Sequence, residues 1–497
     1  MSDKYIKKIL NQVKKLDSAV VQYTKIGKIP AIPYRAFVNL ADYLFLTGCI
    51  EQSEELLTNA ANFVSNSSDA LVNLGGIKQA AGDYSKAIEY YKKAFKKDPK
   101  STKALCLWGN CLSLQHNIEG AIQKYEKALE IDKTDGEAYL CLGIMFLKKK
   151  QYKEAKEKFD EAIKYKANDG RPLFLSASVE IELGRLDDAL DKLMFIVENT
   201  ENNFGAYHNI AYIYFKKKQY EECIKYAQKA IDMMPGKIET YLLLGDTYML
   251  IKKEKEALNV YQNAESHGLK SLFLYLSWGT AFQKMKQYDN AIEKFKQGLE
   301  VSSAEVNEEL YARLAKCYYE VKNYDESKFY AKKSLEISDK NYMANEVLVD
   351  ILFNERNFDE AYPYLEACLI NAEAKSVTYL KFARYYKEKN NYTEACRSFE
   401  KSLEYDRENI DTYLEYISYL NSNKDYETAL KKLITLEKLA GDRFEVLSLA
   451  FEVNYNIALG DISAYNRVKA ISVAEKLKEN YPDKFNFETE YHELKSR

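Results

Sequence analysis

The chain has 497 residues and a formal net charge of −3, so it offers no general attraction to a polyanion. Its eight cysteines include no CxxC pair and occupy positions of small apolar residues, which is typical of packing side chains in a reducing compartment. We therefore expect a cytoplasmic protein with no metal, no cofactor and no nucleic-acid partner.

The first predicted element is an amphipathic helix within residues 1–33, in which lysines are spread among aliphatic residues at helical spacing. It lacks the uninterrupted apolar run of a secretory signal, and no apolar run in the chain is long enough to span a bilayer. We expect this helix and its linker to cap the repeats that follow, because a terminal repeat needs a polar outer face. Contact of the helix with a membrane surface or a partner is the alternative.

Residues 34–443 repeat with a period of 34 residues, interrupted by one step of 36. Within each period, two stretches carry apolar residues at steps of three and four, which predicts a pair of helices. A fixed period of this length indicates a stacked-repeat protein. The period is marked by small residues at the start of each second helix: Ser53, Ala87, Ala121, Ala155, Ala189, Cys223, Ala257, Ala291, Ser327, Ala361, Ala395 and Ala429.

Small and bulky residues alternate along the seam between the two helices. Counting each repeat from residues 34, 68, 102 and onward, Gly or Ala recurs at position 8, and bulky residues recur at positions 7 and 24. The stretch with Leu71, Gly75, Ala87, Tyr91 and Pro99 resembles the tetratricopeptide repeat. The resemblance covers residues 34–443. It implies an all-α solenoid of about 12–13 tetratricopeptide helix-turn-helix repeats that form a right-handed superhelix.

Two parts of the chain depart from the pattern. Near residues 300–370 the 36-residue step coincides with Pro363 inside a second helix, where proline removes a hydrogen bond and should kink the helix. Residues 444–497 keep a two-helix pattern with poor matches at the small and aromatic positions. We expect a degenerate thirteenth repeat, a C-terminal cap and a polar tail there.

A search for catalytic or metal-binding motifs finds none. The four histidines have no helical partner of the metal-binding type, and no nucleotide-binding loop or nucleophile elbow occurs. The sequence therefore predicts a protein that is not an enzyme. Co-chaperones of the resembled family hold heat-shock carboxylates with a lysine at position 5. No repeat here carries that lysine, so the sequence argues against a carboxylate-clamp co-chaperone.

Positions 2, 5, 9 and 12 of the first helices form a second stripe, which in the resembled family faces the inner, concave surface. Between residues 136 and 250 this stripe is rich in apolar residues, which favours either a partner-binding groove or burial within the molecule. We call it the apolar stripe; its members are Leu140, Ile144, Leu147, Phe174, Ile181, His208, Tyr212, Phe215, Leu242, Asp246 and Met249.

Further along the chain, the same helical face carries residues of both signs, which favours a polar rim, a charged-peptide site or a solvated face. We call this set the charged stripe: Arg313, Lys316, Glu346, Asp350, Lys381, Arg384 and Lys387. The leading hypothesis is a non-enzymatic scaffold or adaptor that binds one or more proteins along the apolar stripe. The alternative is a structural subunit that acts by self-association or through its terminal repeats.

Overall fold

The computed structural model describes residues 41, 44–46, 48, 50–63, 68–166, 169–200, 203–302, 307–371, 374–460 and 464–496. The N-terminal helix expected within residues 1–33 lies outside them. Every regular element in the described part is a helix. The all-α solenoid of tetratricopeptide helix pairs expected from the sequence is confirmed.

The chain divides into two compact units, residues 1–247 and 248–497. Helix α12 crosses the boundary between them. The helices before it are α1 (Ile50–Phe63), α2 (Asp69–Ala80), α3 (Tyr84–Lys97), α4 (Thr102–Leu114), α5 (Ile118–Ile131), α6 (Gly136–Lys148), α7 (Tyr152–Tyr165), α8 (Gly170–Glu182), α9 (Leu186–Asn199), α10 (Phe204–Lys216) and α11 (Tyr220–Met233), followed by α12 itself (Ile238–Leu250).

The second unit continues the same alternation of paired helices. It ends with two longer helices, a short 3-10 turn at Pro482–Lys484 and a terminal helix. Its helices are α13 (Glu254–Ser266), α14 (Leu272–Lys284), α15 (Tyr288–Val301), α16 (Glu308–Glu320), α17 (Tyr324–Ile337), α18 (Tyr342–Asn354), α19 (Phe358–Cys368), α20 (Lys375–Glu388), α21 (Tyr392–Tyr405), α22 (Ile410–Ser422), α23 (Tyr426–Ala440), α24 (Phe444–Gly460), α25 (Ala464–Asn480) and α26 (Glu488–Ser496).

The seam inside each repeat depends on close approach of the two helices. The small residues Ala87, Ala155 and Ala257 are fully buried. In α6, a Cβ placed on Gly143 would lie 2.6 Å from Cε1 of Phe159 in α7, so the aromatic ring fills the space above the glycine. The small and bulky residues of the sequence pattern therefore correspond to aromatic rings of one helix that pack directly against the backbone of the other.

The turn between the two helices of a repeat has a left-handed residue at position 15. Lys150 has φ = 57° there, and its N–H donates to the Leu147 carbonyl at 2.9 Å while the next N–H, of Gln151, donates to Phe146 at 2.9 Å. These bonds satisfy carbonyls at the end of the first helix. The other left-handed residues at this position are Gly48, Gly82, His116, Gly184, Lys218, Lys252, Lys286, Lys322, Arg356, Asn390 and Lys424.

The irregular region keeps its helix pairs. Helix α19, which contains Pro363, has 11 residues, whereas the second helices before and after it, α17 and α21, have 14. Helices α15 and α16 flank the 36-residue step with 14 and 13 residues. The two additional residues therefore fall in the connection between them.

The end of the chain packs against its last long helices. Tyr491 and Leu494 of α26 are buried, and the Phe487 ring centroid lies 4.7 Å from that of Phe451 in α24. An aromatic cluster thus covers this side of α24, where Phe451 is 1% exposed.

Candidate functional site

The apolar stripe runs over four first helices, α6, α8, α10 and α12. Leu140 is only 2% exposed and belongs to the interior, whereas Ile144, Leu147 and Ile181 are half-buried. Tyr212, Phe215 and Leu242 are also half-buried, and Asp246 is exposed. Met249, which falls in the second unit, is half-buried as well. The members of the stripe in the first unit therefore form a shallow apolar surface, not a set of protruding side chains.

Neighbouring helices of the first unit hold part of the stripe in place. The Phe174 ring of α8 packs on Gly205 at the start of α10, where a Cβ would lie 3.0 Å from Cζ. In α10 the Tyr212 ring has Lys216 Nζ at 5.2 Å from its centroid, and Phe215 lies edge-on to Tyr220 at 6.3 Å. These contacts restrict the rotamers of the aromatic rings before any partner is present, which lowers the entropy cost of binding.

His208 belongs to the apolar stripe, and its surroundings favour the uncharged imidazole. Its Nδ1 is 2.9 Å from Oγ1 of Thr240 in α12, and its ring stacks on Phe204 at 6.0 Å. Burial lowers the pKa of His208 below its ordinary value, against a smaller opposing influence of Glu239. The imidazole is therefore uncharged at neutral pH and joins two repeats without adding charge to the stripe.

In the second unit, residues of the charged stripe form ion pairs with one another between adjacent repeats. Lys381 of α20 is 7% exposed, and its Nζ lies 2.6 Å from Asp350 Oδ1 and 3.3 Å from Glu346 Oε1, both in α18. Tyr342 donates its hydroxyl to Glu346 at 2.8 Å. These groups satisfy one another, so Lys381 is an interior cation and not a rim residue.

The remaining members of the charged stripe pair locally or with the next repeat. Arg384 Nε donates to Glu415 Oε2 of α22 at 2.9 Å. Arg313 and Lys316 pair with Glu309 and Glu320 on their own helix, and Arg313 also donates to Gln283 at 3.2 Å. Lys387 Nζ lies 5.9 Å from the ring centroid of Tyr419. Charge alternates in sign between α18, α20 and α22, which links successive repeats.

Two features were missed by the sequence reasoning. Phe273, at position 2 of α14 in the second unit, is 63% exposed, although its position belongs to the stripe pattern and was a usable signal. Glu180 is 1% exposed at a position that usually holds an aromatic residue, and Lys192 Nζ contacts it at 2.6 Å. The atom Glu180 Oε2 has no hydrogen-bond partner among the described residues.

Polar groups surround Glu180 at the junction of α7, α8 and α9. Lys156 Nζ lies 3.6 Å from Glu180 Oε1 and 2.6 Å from Asp160 Oδ2. Ser176 accepts a hydrogen bond from Lys192 at 2.8 Å. We call Lys156, Asp160, Ser176, Glu180 and Lys192 the polar junction. It replaces the apolar contact that other repeats make at the equivalent positions.

The described residues were also compared with the requirements of a metal site, a reactive thiol and a membrane-spanning helix. No group of three or more His, Cys, Asp or Glu side chains within them is placed to hold a metal ion. Burial raises the pKa of the Cys141 thiol to about 12 and that of Cys111 to about 11, so both remain protonated at neutral pH. Among the described helices, none is both long and apolar enough to cross a membrane.

Stacked helix pairs with a constant seam and a constant left-handed turn define a helical-repeat protein. Family models described as tetratricopeptide repeat match residues 68–101, 204–236, 308–341 and 377–409, and one described as TPR repeat matches residues 109–150. The chain belongs to the tetratricopeptide repeat proteins.

One curated relative is the TPR repeat-containing protein YpiA of Bacillus subtilis (strain 168). It is 23% identical over 241 residues, which cover 48% of this chain and 56% of that protein. The match therefore spans about half the length of the relative.

Solved structures with similar helices include the APC/C hetero-tetramer Cut9-Hcn1, YrrB and MamA. The first is 13% identical and covers 87% of this chain and 98% of its own, with a TM-score of 0.43. YrrB, titled a TPR protein with an unusual peptide-binding site, is 25% identical over 36% of this chain and 91% of its own, with a TM-score of 0.32. MamA is 25% identical over 33% and 97%, with a TM-score of 0.31.

Proposed function

We propose that the protein is a non-enzymatic scaffold that binds a partner protein along the apolar stripe of its first unit. Tetratricopeptide repeats act generally as protein–protein interaction modules. The observation that carries the proposal is the row of half-buried apolar side chains on α6, α8, α10 and α12. A row of this kind suits an amphipathic helix or an extended segment whose side chains fall between the repeats.

Binding would gain free energy mainly by removing Ile144, Ile181, Tyr212, Phe215 and Leu242 from water. Large aromatic side chains tend to dominate such interfaces, and truncation of one to alanine typically costs about 1–4 kcal/mol of affinity. Tyr212 and Phe215 meet this description best, because contacts with Lys216 and Tyr220 already order them.

The charged stripe of the second unit is a weaker candidate for recruitment. A partner would have to displace the contacts of Lys381 with Asp350 and Glu346 before it could use any of these charges. Desolvation and loss of existing pairs would then offset the new contacts. The proposal therefore assigns recruitment to the first unit, in a cytoplasmic protein whose thiols serve as packing groups.

A structural role through self-association is the second candidate. One observation favours it: Tyr465 and Val468 of α25 are 73% and 63% exposed on the last long helix. An exposed apolar pair at the end of a helical array is a site where a second copy could stack. Light scattering that gives the monomer mass at every protein concentration would exclude this candidate.

The principal test compares two triple variants in affinity purification with mass spectrometry. Ile181→Ala, Tyr212→Ala and Phe215→Ala together remove apolar contacts from the stripe. A control variant, Phe195→Ala, Phe329→Ala and Tyr405→Ala, removes exposed aromatic rings from three second helices, away from the stripe positions. We expect partners that copurify with the native and control chains to be lost from the stripe variant. If the stripe variant folds and retains every partner, the proposal is wrong.

A further inference from the structure

Helices α3 and α5, the second helices of two adjacent repeats, bring five lysines to one part of the first unit. Lys92, Lys93 and Lys96 lie on α3, and Lys124 and Lys127 lie on α5. All are exposed except Lys124, which is half-buried. We call these five residues the basic surface. Lys92 and Lys124 do not lie in the last turns of their helices, so attraction to the helix dipole does not account for them.

Among the described residues, no carboxylate neutralises the lysines of the basic surface. Ion pairs hold Lys86 to Asp83, Lys149 to Glu119 and Lys217 to Asp187 in the same unit. Within the described ranges, no carboxylate forms an ion pair with any of the five. The acidic residues on the same two helices include Glu89, Glu126 and Glu130, and none of these three pairs with a lysine there either.

Like charges are crowded at the centre of the basic surface. The pKa of Lys124 is lowered, first by burial and then by the positive charges of Lys127 and Lys92. These cations repel one another and form no ion pair among the described residues. An anion that binds beside them would therefore lower the electrostatic free energy of the group.

Aromatic rings lie beneath the same lysines. Lys124 Nζ is 4.3 Å and Lys92 Nζ is 5.4 Å from the ring centroid of Trp108, so both cations lie near the indole. Lys127 lies 5.0 Å from the Phe95 centroid and Lys93 lies 5.5 Å from that of Tyr90. The rings are half-buried, and each has at least one lysine ammonium group over it.

An apolar pocket adjoins the basic surface. It has a volume of about 590 Å³, and Leu71, Leu74 and Tyr90 form its apolar wall. The charged residues that line it are all lysines, Lys93, Lys96 and Lys97, and Thr58 completes the lining. A ligand that fits both features must combine carboxylates with an aliphatic or aromatic side chain.

We propose that the basic surface and its pocket form a second docking site, distinct from the apolar stripe, for an acidic amphipathic segment of a partner protein. Glutamate or aspartate side chains of the segment pair with Lys92, Lys124 and Lys127. A leucine or phenylalanine of the segment enters the pocket between α1 and α3. Charge complementarity selects the segment, and the apolar side chain fixes its register.

Nucleic acid and membrane fit the same surface less well. Single-stranded nucleic acid binds by stacking bases on open aromatic faces, and here lysines already occupy those faces. A membrane surface favours protruding apolar side chains among the cations, whereas Trp108, Phe95 and Tyr90 are all half-buried. Both ligands serve as competing outcomes of the experiment.

The experiment measures binding of the full chain to fluorescein-labelled synthetic peptides at low ionic strength. The probe is a helical peptide of Glu and Leu with leucines on one face, compared with an all-Glu peptide of equal length. Oligo-dT and vesicles of equal parts phosphatidylcholine and phosphatidylserine are the competing ligands. We expect the Glu and Leu peptide to bind at least about tenfold more tightly than the all-Glu peptide, and binding to weaken with added salt.

Matched variants locate the binding. Lys92→Gln, Lys124→Gln and Lys127→Gln together should weaken binding at least about tenfold. The control, Lys86→Gln, Lys149→Gln and Lys217→Gln, removes the same charge from paired lysines and should change binding less than about twofold. In a Trp278→Phe background the peptide should shift the emission of Trp108. Equal losses in both variants, tighter binding of oligo-dT or vesicles, or no peptide binding would each overturn the proposal.

Discussion

Gly75 and Tyr91 approach so closely that a Cβ on Gly75 would lie 2.5 Å from Cε1 of the tyrosine ring, whereas a Cβ on the adjacent Gly76 would meet no atom within 4 Å. Both glycines lie in the interior of α2. The tyrosine is fully buried, and its hydroxyl donates to Gln79 at 2.9 Å. Two neighbouring residues of one type therefore have opposite structural roles.

Alanine at these two glycines should change stability in opposite directions. Gly75→Ala must displace a buried ring and should lower the free energy of unfolding by about 1–3 kcal/mol. Gly76→Ala fills open space and should raise it by about 0.5–1 kcal/mol, because alanine is the better helix former. Urea denaturation followed by circular dichroism measures both. Equal effects of the two substitutions would contradict the packing described for the seam.

The left-handed turns predict a set of stabilising substitutions. Lys150, Lys218, Lys252 and Lys286 have φ between 57° and 60°, where a side chain is unfavourable and glycine is not. Each replacement by glycine should raise stability by about 0.5–1 kcal/mol. The control Lys149→Gly, at a residue with φ = −81°, should lower it. A fourfold glycine variant that melts below the native chain would count against this account.

Loss of the interior cation Lys381 should destabilise the second unit. The substitution Lys381→Met leaves Glu346 and Asp350 facing each other, which should cost about 3 kcal/mol at neutral pH. Lys389→Met is the control, since Lys389 pairs at the surface with Asp359 at 2.6 Å and should cost less than about 1 kcal/mol. Thermal denaturation of the two variants gives the comparison.

The variant Lys381→Met should also reverse the way in which the contribution of Glu346 to stability depends on pH. Burial acts to raise the pKa of Glu346, but Lys381 and the Tyr342 hydroxyl outweigh it, so the net pKa lies below the ordinary value. In the native chain this carboxylate therefore contributes stability above the unfolded pKa, and the contribution is lost as pH falls through the folded pKa. Without Lys381, burial is the larger influence on Glu346 and raises its pKa. Acidification from neutral pH should therefore reduce the difference in melting temperature between the native chain and Lys381→Met. A difference that widens would be the contrary result.

The polar junction should show strong coupling between Glu180 and Lys192. Glu180→Leu alone leaves Lys192 without its principal counter-charge and should cost about 2–4 kcal/mol. The double variant Glu180→Leu with Lys192→Met restores an apolar contact and should return to within about 1 kcal/mol of the native stability, or exceed it. A double-mutant cycle in denaturant measures the coupling. Additive losses would show that the two side chains act independently.

The repeat architecture was readable from the sequence because one spacing fixes many contacts at once. A small residue at position 20, such as Ala155, and an aromatic residue at position 24, such as Phe159, return in successive repeats. Paired helices satisfy this pattern. The left-handed turn was harder to anticipate. Lysine at position 15 gives no local signal for positive φ, and the conformation follows from the backbone bonds that close the first helix.

The candidate site was readable only as a pattern of residue types. The alternation of Glu346 and Asp350 with Lys381 and Arg384 was visible one period apart, but burial of Lys381 depends on how closely α18 and α20 approach. Likewise, half-burial of Tyr212 and Phe215 depends on neighbouring side chains from other helices. Periodicity assigns a residue to a face and does not report the depth of that face.

The position-15 turn has a consequence for how such chains change over generations. Its geometry is carried by the main chain, as shown by Lys150, Gly184 and Asn390 adopting the same left-handed form. Unequal recombination between any two of these turns would splice compatible halves. The gene can therefore gain or lose modules by crossover while every remaining joint stays intact.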